Sequence, residues 1–183
     1  KAPAPPRAGR DGAPGPGAEV ALEVKGLSRG KCFRDVSFTL RRGELLGFYG
    51  LQGAGRTEVM QTIFGMYRAE AGTIVRSGRP LRVASPREAI RQGFAYIPED
   101  RRRQGLFSNL DVKDNVAVIH GRKITALTFV QARKVAAIAR EYVDKLSVKL
   151  TGLVQRMANL SGGNQQKVII GRSLSTLPGI LIM

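Results

Sequence analysis

The sequence predicts an α/β fold, on three observations. Short strand-like runs alternate with helix-like runs along most of the chain. One apolar run, Leu45-Leu46-Gly47-Phe48-Tyr49, leads straight into Gly50-Leu51-Gln52-Gly53-Ala54-Gly55-Arg56-Thr57 and then into a helical pattern. A second glycine pair, Gly162-Gly163, opens another long helical pattern.

Taken in order, Val20–Lys25 reads as a short strand, and Phe33, Val36, Phe38 and Leu40 mark a second, the last three at period two. Arg41-Arg42-Gly43-Glu44 is a turn. Leu45–Tyr49 is continuously apolar, as a strand buried on both faces is. Val59, Met60, Ile63 and Phe64 lie at helical spacing, with Gly65 as the stop. Gly72–Val75 is a strand followed by a turn at Ser77-Gly78. Ser85-Pro86-Arg87-Glu88 combines an N-cap, a proline at the first helical position and a capping-box acid, for a helix ending near Gly93. Phe94–Ile97 is a strand closed by Pro98-Glu99-Asp100. Asp111 to Ile119 is helical, and Thr128 caps a longer helix whose apolar face is Val135, Ile138, Ala139, Tyr142, Val143 and Leu146. The third long helix carries Val168, Ile169, Ile170 and Leu174, ends at Pro178-Gly179, and hands over to a buried strand in the last five residues. No internal repeat is present, and the stretch around 108–150 forms a helical insert.

Composition narrows the function. A length of 183 residues suits about one domain. The single cysteine, Cys32, excludes an internal disulfide framework and a cysteine zinc cluster. With His120 as the sole imidazole, a histidine-rich metal site or a Ser-His-Asp triad would rest on a single candidate. Neither residue is assigned a role: Cys32 reads as a free thiol and His120 as a helix-end residue. No apolar run approaches the roughly 20 residues that span a bilayer, and the opening Lys-Ala-Pro-Ala-Pro-Pro has no signal-peptide character. The net charge of +16 fits either a nucleic-acid or membrane partner or an arginine-rich solvated surface; no like-charge block exceeds Arg101-Arg102-Arg103. Residues 1–18 are nearly all Ala, Pro and Gly, a composition that cannot offset its ordering entropy by burial. They read as a linker or a disordered end. No initiator Met is present and the chain stops inside an apolar run, so the expectation is a piece of a longer protein.

Gly50-x4-Gly55-Arg56-Thr57, between a strand and a helix, is the context of a phosphate-binding loop. Glycines let backbone N–H groups turn toward a phosphate, the helix presents its positive end, and the Thr57 hydroxyl suits Mg²⁺. Arg56 stands where such loops carry Lys; it keeps the charge, but its guanidinium is planar and longer.

Leu160-Ser161-Gly162-Gly163-Asn164-Gln165-Gln166-Lys167 makes a second anion site at a helix start. It resembles the signature motif of ATP-binding-cassette ATPases, and Gln165 to Arg172 with the apolar 179–183 run resembles the segment after the signature in that family. Gly50–Glu58, Ile97–Arg102 with Gly105-Leu106, and Leu160–Lys167 together look like the second cassette of the tandem ATP-binding subunits of bacterial monosaccharide importers, of the ribose, xylose, galactose and rhamnose type.

That resemblance covers residues 20–183. It implies a P-loop NTPase cassette with an antiparallel β subdomain, a mostly parallel core sheet and a helical subdomain at about 108–165, stopping before the Asp-Glu pair that ends the next strand in that family. It makes 1–19 an inter-cassette linker. It implies ATP and Mg²⁺ held by Gly50, Gly53, Ala54, Gly55, Arg56, Thr57 and Glu58, with Thr57 on the metal. Glu99 falls where most cassettes carry a Gln that contacts Mg²⁺ and senses the permease, so it is a catalytic and possible metal residue; its alternative is a turn acid. Ser161, Gly162 and Gly163 act in trans on the other cassette's nucleotide. The adenine-stacking aromatic has Phe33 and Phe48 as candidates. The implied partners are an upstream cassette of the same polypeptide, two transmembrane permease subunits and, indirectly, a periplasmic sugar-binding protein, at the cytoplasmic face of the inner membrane, with no nucleic acid. Arg56 and Glu99 depart from the pattern in one site, which predicts a slow site on this cassette's phosphate loop and a faster one completed by Ser161. The isolated chain is expected to be inactive. A nucleic-acid-associated cassette and a non-catalytic nucleotide-binding fragment are the alternatives; nucleoside import is a near relative of the first reading.

Overall fold

The computed structural model describes residues 17–123, 125–126 and 129–183. The expected linker lies almost wholly outside the described residues, as does the expected cap Thr128. The chain divides into two compact units, Lys1–Ala89 and Ile90–Met183.

The first unit is built on an antiparallel sheet of β1 (Val20–Arg29), β2 (Phe33–Arg41), β3 (Ala71–Arg76) and β4 (Arg79–Leu81), in the order β2-β1-β3-β4. Strand β1 runs four residues beyond the expected strand because it pairs with both neighbours, a non-local support. It buries Leu22 and Val24, then Leu27, so the inward parity changes along it. The ladders shift register between Lys25 and Ser28, a bulge that restores the inward face. Gly26 (φ 61°) and Gly72 (φ 94°) meet there; a Cβ on Gly72 would lie 2.6 Å from the Gly26 carbonyl, an approach that needs glycine. Ser77 (φ 45°) and Gly78 (φ 77°) give the β3–β4 hairpin its left-handed turn. Helix α1 (Arg56–Ile63) buries Val59 and Ile63, and Gly65 (φ 79°) stops it as expected.

Leu45–Tyr49 corrects an expectation. The run is neither a strand nor buried: Leu45 is 77% exposed and Tyr49 fully so. A strand exists only by pairing, and no strand among the described residues pairs with this run. Apolar composition alone does not supply the ladder.

Helix α2 (Pro86–Arg91) starts as the capping signal predicts. The Glu88 amide donates to Ser85 Oγ (3.3 Å) and the Ala84 amide to Glu88 Oε2 (2.9 Å).

In the second unit β5 (Phe94–Tyr96) pairs in parallel with β8 (Ile180–Ile182). The remaining elements are helices joined by loops, apart from a short hairpin with two residues per strand, β6 (Thr125–Ala126) with β7 (Phe129–Val130). Helices α3 (Val112–Ala117), α4 (Ala132–Lys145) and α5 (Gly162–Leu174) enclose a core of Val112, Val116, Ala139, Val143, Met157, Leu160 and Val168. The α4 face matches expectation, with Val135, Ala139, Tyr142 and Val143 buried, but the helix starts after Gln131. His120 lies in the short helical turn after α3, near the helix end as expected, and is buried there at 7% exposure, with Nε2 2.7 Å from Ser175 Oγ.

Candidate functional site

The phosphate loop of the first unit is shaped by its backbone. Gly53 (φ 83°) and Gly55 (φ 80°) both take left-handed conformations that side chains resist. The Ala54 amide donates to the Leu51 carbonyl (3.1 Å), tightening the loop. Gly55 is the N-cap of α1 and offers no side chain to the first-turn amides, which the helix itself leaves without acceptors. A Cβ there would lie 2.3 Å from the Cys32 carbonyl oxygen and 3.2 Å from Phe33 Cβ, so the β1–β2 turn presses directly on the loop.

Arg56 is exposed, yet its stem folds back over the loop: a Cβ on Gly50 would lie 3.7 Å from Arg56 Cδ and 3.9 Å from Nε. The start of the guanidinium thereby lies beside the glycine turn. Thr57 and Glu58 follow in the first turn, both half-buried. Loop amides, a helix N-terminus, a folded-back cation and the Thr57 hydroxyl form a set of groups whose chemistry fits a magnesium-bound polyphosphate. Of the two aromatic candidates, Phe33 is buried in the core at 7% exposure, and Phe48 meets Phe38 edge-to-face at 5.0 Å.

The other expected residues lie in the second unit. Glu99 is exposed just after β5, before a single wide, π-helical turn, Arg101–Gly105. Asp100 caps that turn, Oδ1 accepting from the Arg103 amide at 3.1 Å. Ser161 is the N-cap of α5 with extended backbone geometry, but its hydroxyl makes no cap bond. Asn164 Nδ2 donates to Ser161 Oγ (3.0 Å) instead, and the Lys149 amide donates to Asn164 Oδ1 (3.0 Å). The helix start is therefore braced by side chains, with its first-turn amides uncapped by Ser161. Gly163 is exposed and a Cβ on it would meet nothing within 4 Å, leaving open surface at this end. Gln165 Nε2 donates to the Met157 and Leu160 carbonyls (3.0 and 3.2 Å), and Lys167 Nζ to the Ser147 carbonyl (3.0 Å), fixing the helix to the preceding loop.

Two residues that sequence reasoning passed over organise this unit. Asn115, 1% exposed, accepts from the Phe107 amide (2.9 Å) and donates to the Phe107 and Asp111 carbonyls (3.0 and 2.9 Å). Arg172 donates from Nη2 to the Gly105 carbonyl. The signal for Arg172 is positional: it follows Val168 by four and Ile169 by three, so it falls on the face those buried residues define.

A profile of the ABC transporter family matches residues 33–183. A putative ribose/galactose/methyl galactoside import ATP-binding protein of Burkholderia cenocepacia is 48% identical over 160 residues, 87% of this chain and 31% of that protein. Ribose import ATP-binding proteins of Rhizobium johnstonii and a Jannaschia species are 41% and 44% identical, over 88% and 91% of this chain and 32% of each relative. The chain thus spans about a third of the length of these relatives. Among solved structures, the cassette MJ1267 of an ABC transporter superposes with a TM-score of 0.72 at 19% identity, covering 88% of this chain and 67% of that one. CbiO1 of Clostridium perfringens gives 0.69 at 19% identity, covering 89% and 64%. The fold is that of an α/β ATP-binding cassette.

Proposed function

This chain belongs to the ABC transporter family, and we propose that it is the second ATP-binding cassette of a bacterial monosaccharide importer, driving uptake by ATP hydrolysis. The observation that carries the reading is the phosphate loop, with Gly55 left-handed against the Cys32 carbonyl and the Arg56 stem folded over Gly50. The sugar-import relatives supply the substrate class.

On this reading, the amides around Gly53, Ala54 and Gly55 and the first turn of α1 bind the nucleotide's phosphates. Arg56 would neutralise their charge, and the Thr57 hydroxyl would hold Mg²⁺, which would supply electrophilic polarisation of the phosphoryl oxygens. By the family resemblance, Glu99 would take the part of the residue that contacts Mg²⁺ and senses the permease. Ser161, Gly162 and Gly163 donate to the nucleotide of the other cassette, whose phosphate loop lies upstream in the same polypeptide. The complete assembly adds two permease subunits and a periplasmic sugar-binding protein, with the cassettes at the cytoplasmic face.

Arg56 and Glu99 both depart from the family's pattern, and on that ground we propose that the two nucleotide sites are unequal. The loop with Arg56 hydrolyses slowly, while the site completed by Ser161 carries most turnover. Steady-state ATPase rates of the assembled transporter test this. Removing one preorganised donor to developing charge lowers a rate by about 10²–10³-fold. Ser161→Arg is therefore expected to nearly stop turnover, and Arg56→Ala to reduce it only in part. Equal losses in the two variants would sink the asymmetry.

A further inference from the structure

We propose that Arg172 is a positioning residue that latches the segment following Glu99 to helix α5, so that this segment and the Ser161–Gly163 end of the same helix move as one body. The proposal rests on the cassette reading above for its consequence, but on local geometry for the latch itself.

Arg172 sits on an apolar helix face beside Val168 and Ile169, both 2% exposed. Among the described residues no carboxylate lies within ion-pair distance of it. Burial alone pushes its guanidinium below the usual arginine pKa, but an arginine stays charged at neutral pH. A half-buried cation without a counter-charge is unfavourable, and a methionine of similar length would fill the face with less penalty. Stability does not account for the residue. What it supplies is a charge-assisted hydrogen bond from Nη2 to the Gly105 carbonyl, 67 residues away in sequence.

That carbonyl occupies an informative place. It ends the turn Arg101–Gly105, which Asp100 caps at its start. Two residues later, Phe107 has both backbone polar groups bound by Asn115 of α3. The segment is thus fastened to α5 at Gly105 and to α3 at Phe107, while Glu99, Asp100, Arg103 and Gln104 remain exposed. The α5 anchor is itself braced: Ser175 Oγ donates to the Arg172 carbonyl (2.5 Å) and lies 2.7 Å from His120 Nε2, and Tyr142 Oη donates to the Leu174 carbonyl (3.2 Å). Ten residues of continuous helix, eleven rises or about 16 Å, separate Ser161 from Arg172, so the helix links one end to the Gly105 contact as a single element.

The test compares Arg172→Met and Arg172→Lys with wild type in the assembled transporter. Misplacing a positioned group by about an ångström lowers turnover by up to about 10²-fold. The methionine variant is expected to lose at least about 10-fold in kcat with KM for ATP within about 2-fold. The lysine variant, which keeps a donor on a flexible stem, recovers part of that loss. In the same proteins, amide exchange of residues 99–105 should accelerate in Arg172→Met, with residues 107–116 unchanged because Asn115 still holds them. An unchanged kcat, a KM that rises in step with the loss, or exchange that accelerates evenly across α3 to α5 each overturns the latch. Absence of ATPase in the wild-type assembly would refute the cassette reading instead, and the exchange comparison would still decide the latch.

Discussion

The two glycine motifs reach similar chemistry by opposite constructions. Around Gly50–Thr57 the backbone does the shaping: two left-handed glycines, a loop closed by its own amide, and a neighbouring turn pressed against Gly55. Around Ser161–Gly163 the backbone is ordinary and side chains do the bracing, through Asn164, Gln165, Lys167 and, deeper in the same unit, Asn115. The first motif is therefore intolerant of any added atom at one position. The second is open at Gly163 but depends on a set of polar side chains, each of which can be removed singly.

The largest effect is expected at Gly55. Alanine there meets both a left-handed φ of 80° and a Cys32 oxygen 2.3 Å from the new carbon. Strain of about 1–3 kcal/mol from the dihedral alone adds to the displacement of the β1–β2 turn. Gly55→Ala should lose nucleotide binding by equilibrium titration and lower the urea midpoint. Wild-type affinity in this variant would mean that the loop is not the rigid backbone cradle described. The side-chain-built region is tested by Asn115→Ala. This change leaves the Phe107 amide and carbonyl without their partner, which removes about 2 kcal/mol of stability, at the low end of about 1–3 kcal/mol for each group left unpaired because Phe107 is half-exposed. Denaturant unfolding reads it directly, and a loss below about 0.5 kcal/mol would show that water replaces the amide easily.

This contrast also explains what could be read in advance. Where a residue type encodes a backbone requirement, the sequence was informative. The Ser77-Gly78 turn, the Ser85–Glu88 cap, the Gly65 stop and the Gly50–Thr57 loop all appear where their composition places them. Where structure depends on a distant partner, it was not. Strand β1 extends to Arg29 because β2 and β3 support it, and Leu45–Tyr49 carries a strand's composition without a ladder among the described residues. The hydroxyl of Ser161 turned to Asn164, which a capping pattern does not foretell. Asn115 and Arg172 are polar residues on core-facing positions. In sequence such a residue weakens an apolar pattern slightly, and only the carbonyls it meets, from eight and 67 residues away, reveal its use.

The smallest effect sharpens the comparison from the electrostatic side of the second unit. Asp111 caps α3, Oδ1 accepting from the Asp114 amide at 2.9 Å, while its Oδ2 accepts from Lys113 Nζ at 2.6 Å. The hydrogen bond to Asp111 holds the Lys113 ammonium above its ordinary pKa; the charges of Asp111 and Asp114 add to this and burial opposes it. A base with a raised folded pKa stabilises the fold fully below its unfolded pKa, about 10.4, and the contribution disappears as pH rises through the folded value above that. Lys113→Met leaves the Asp111 cap in place and removes only the titrating partner. The stability difference between wild type and this variant should therefore be constant from neutral pH to about pH 9.5 and shrink above about pH 10.5. Its size is expected to be about 0.5–1 kcal/mol, because the lysine is still 27% exposed and solvent screens the pair. Other lysines and tyrosines titrate in the same range, but they do so in both proteins and largely cancel in the difference. Urea midpoints across that pH range measure it. A difference that stays flat into strong alkali would show that Lys113 contributes packing of its stem, leaving the Asp111 cap as the part of this cluster that matters to α3.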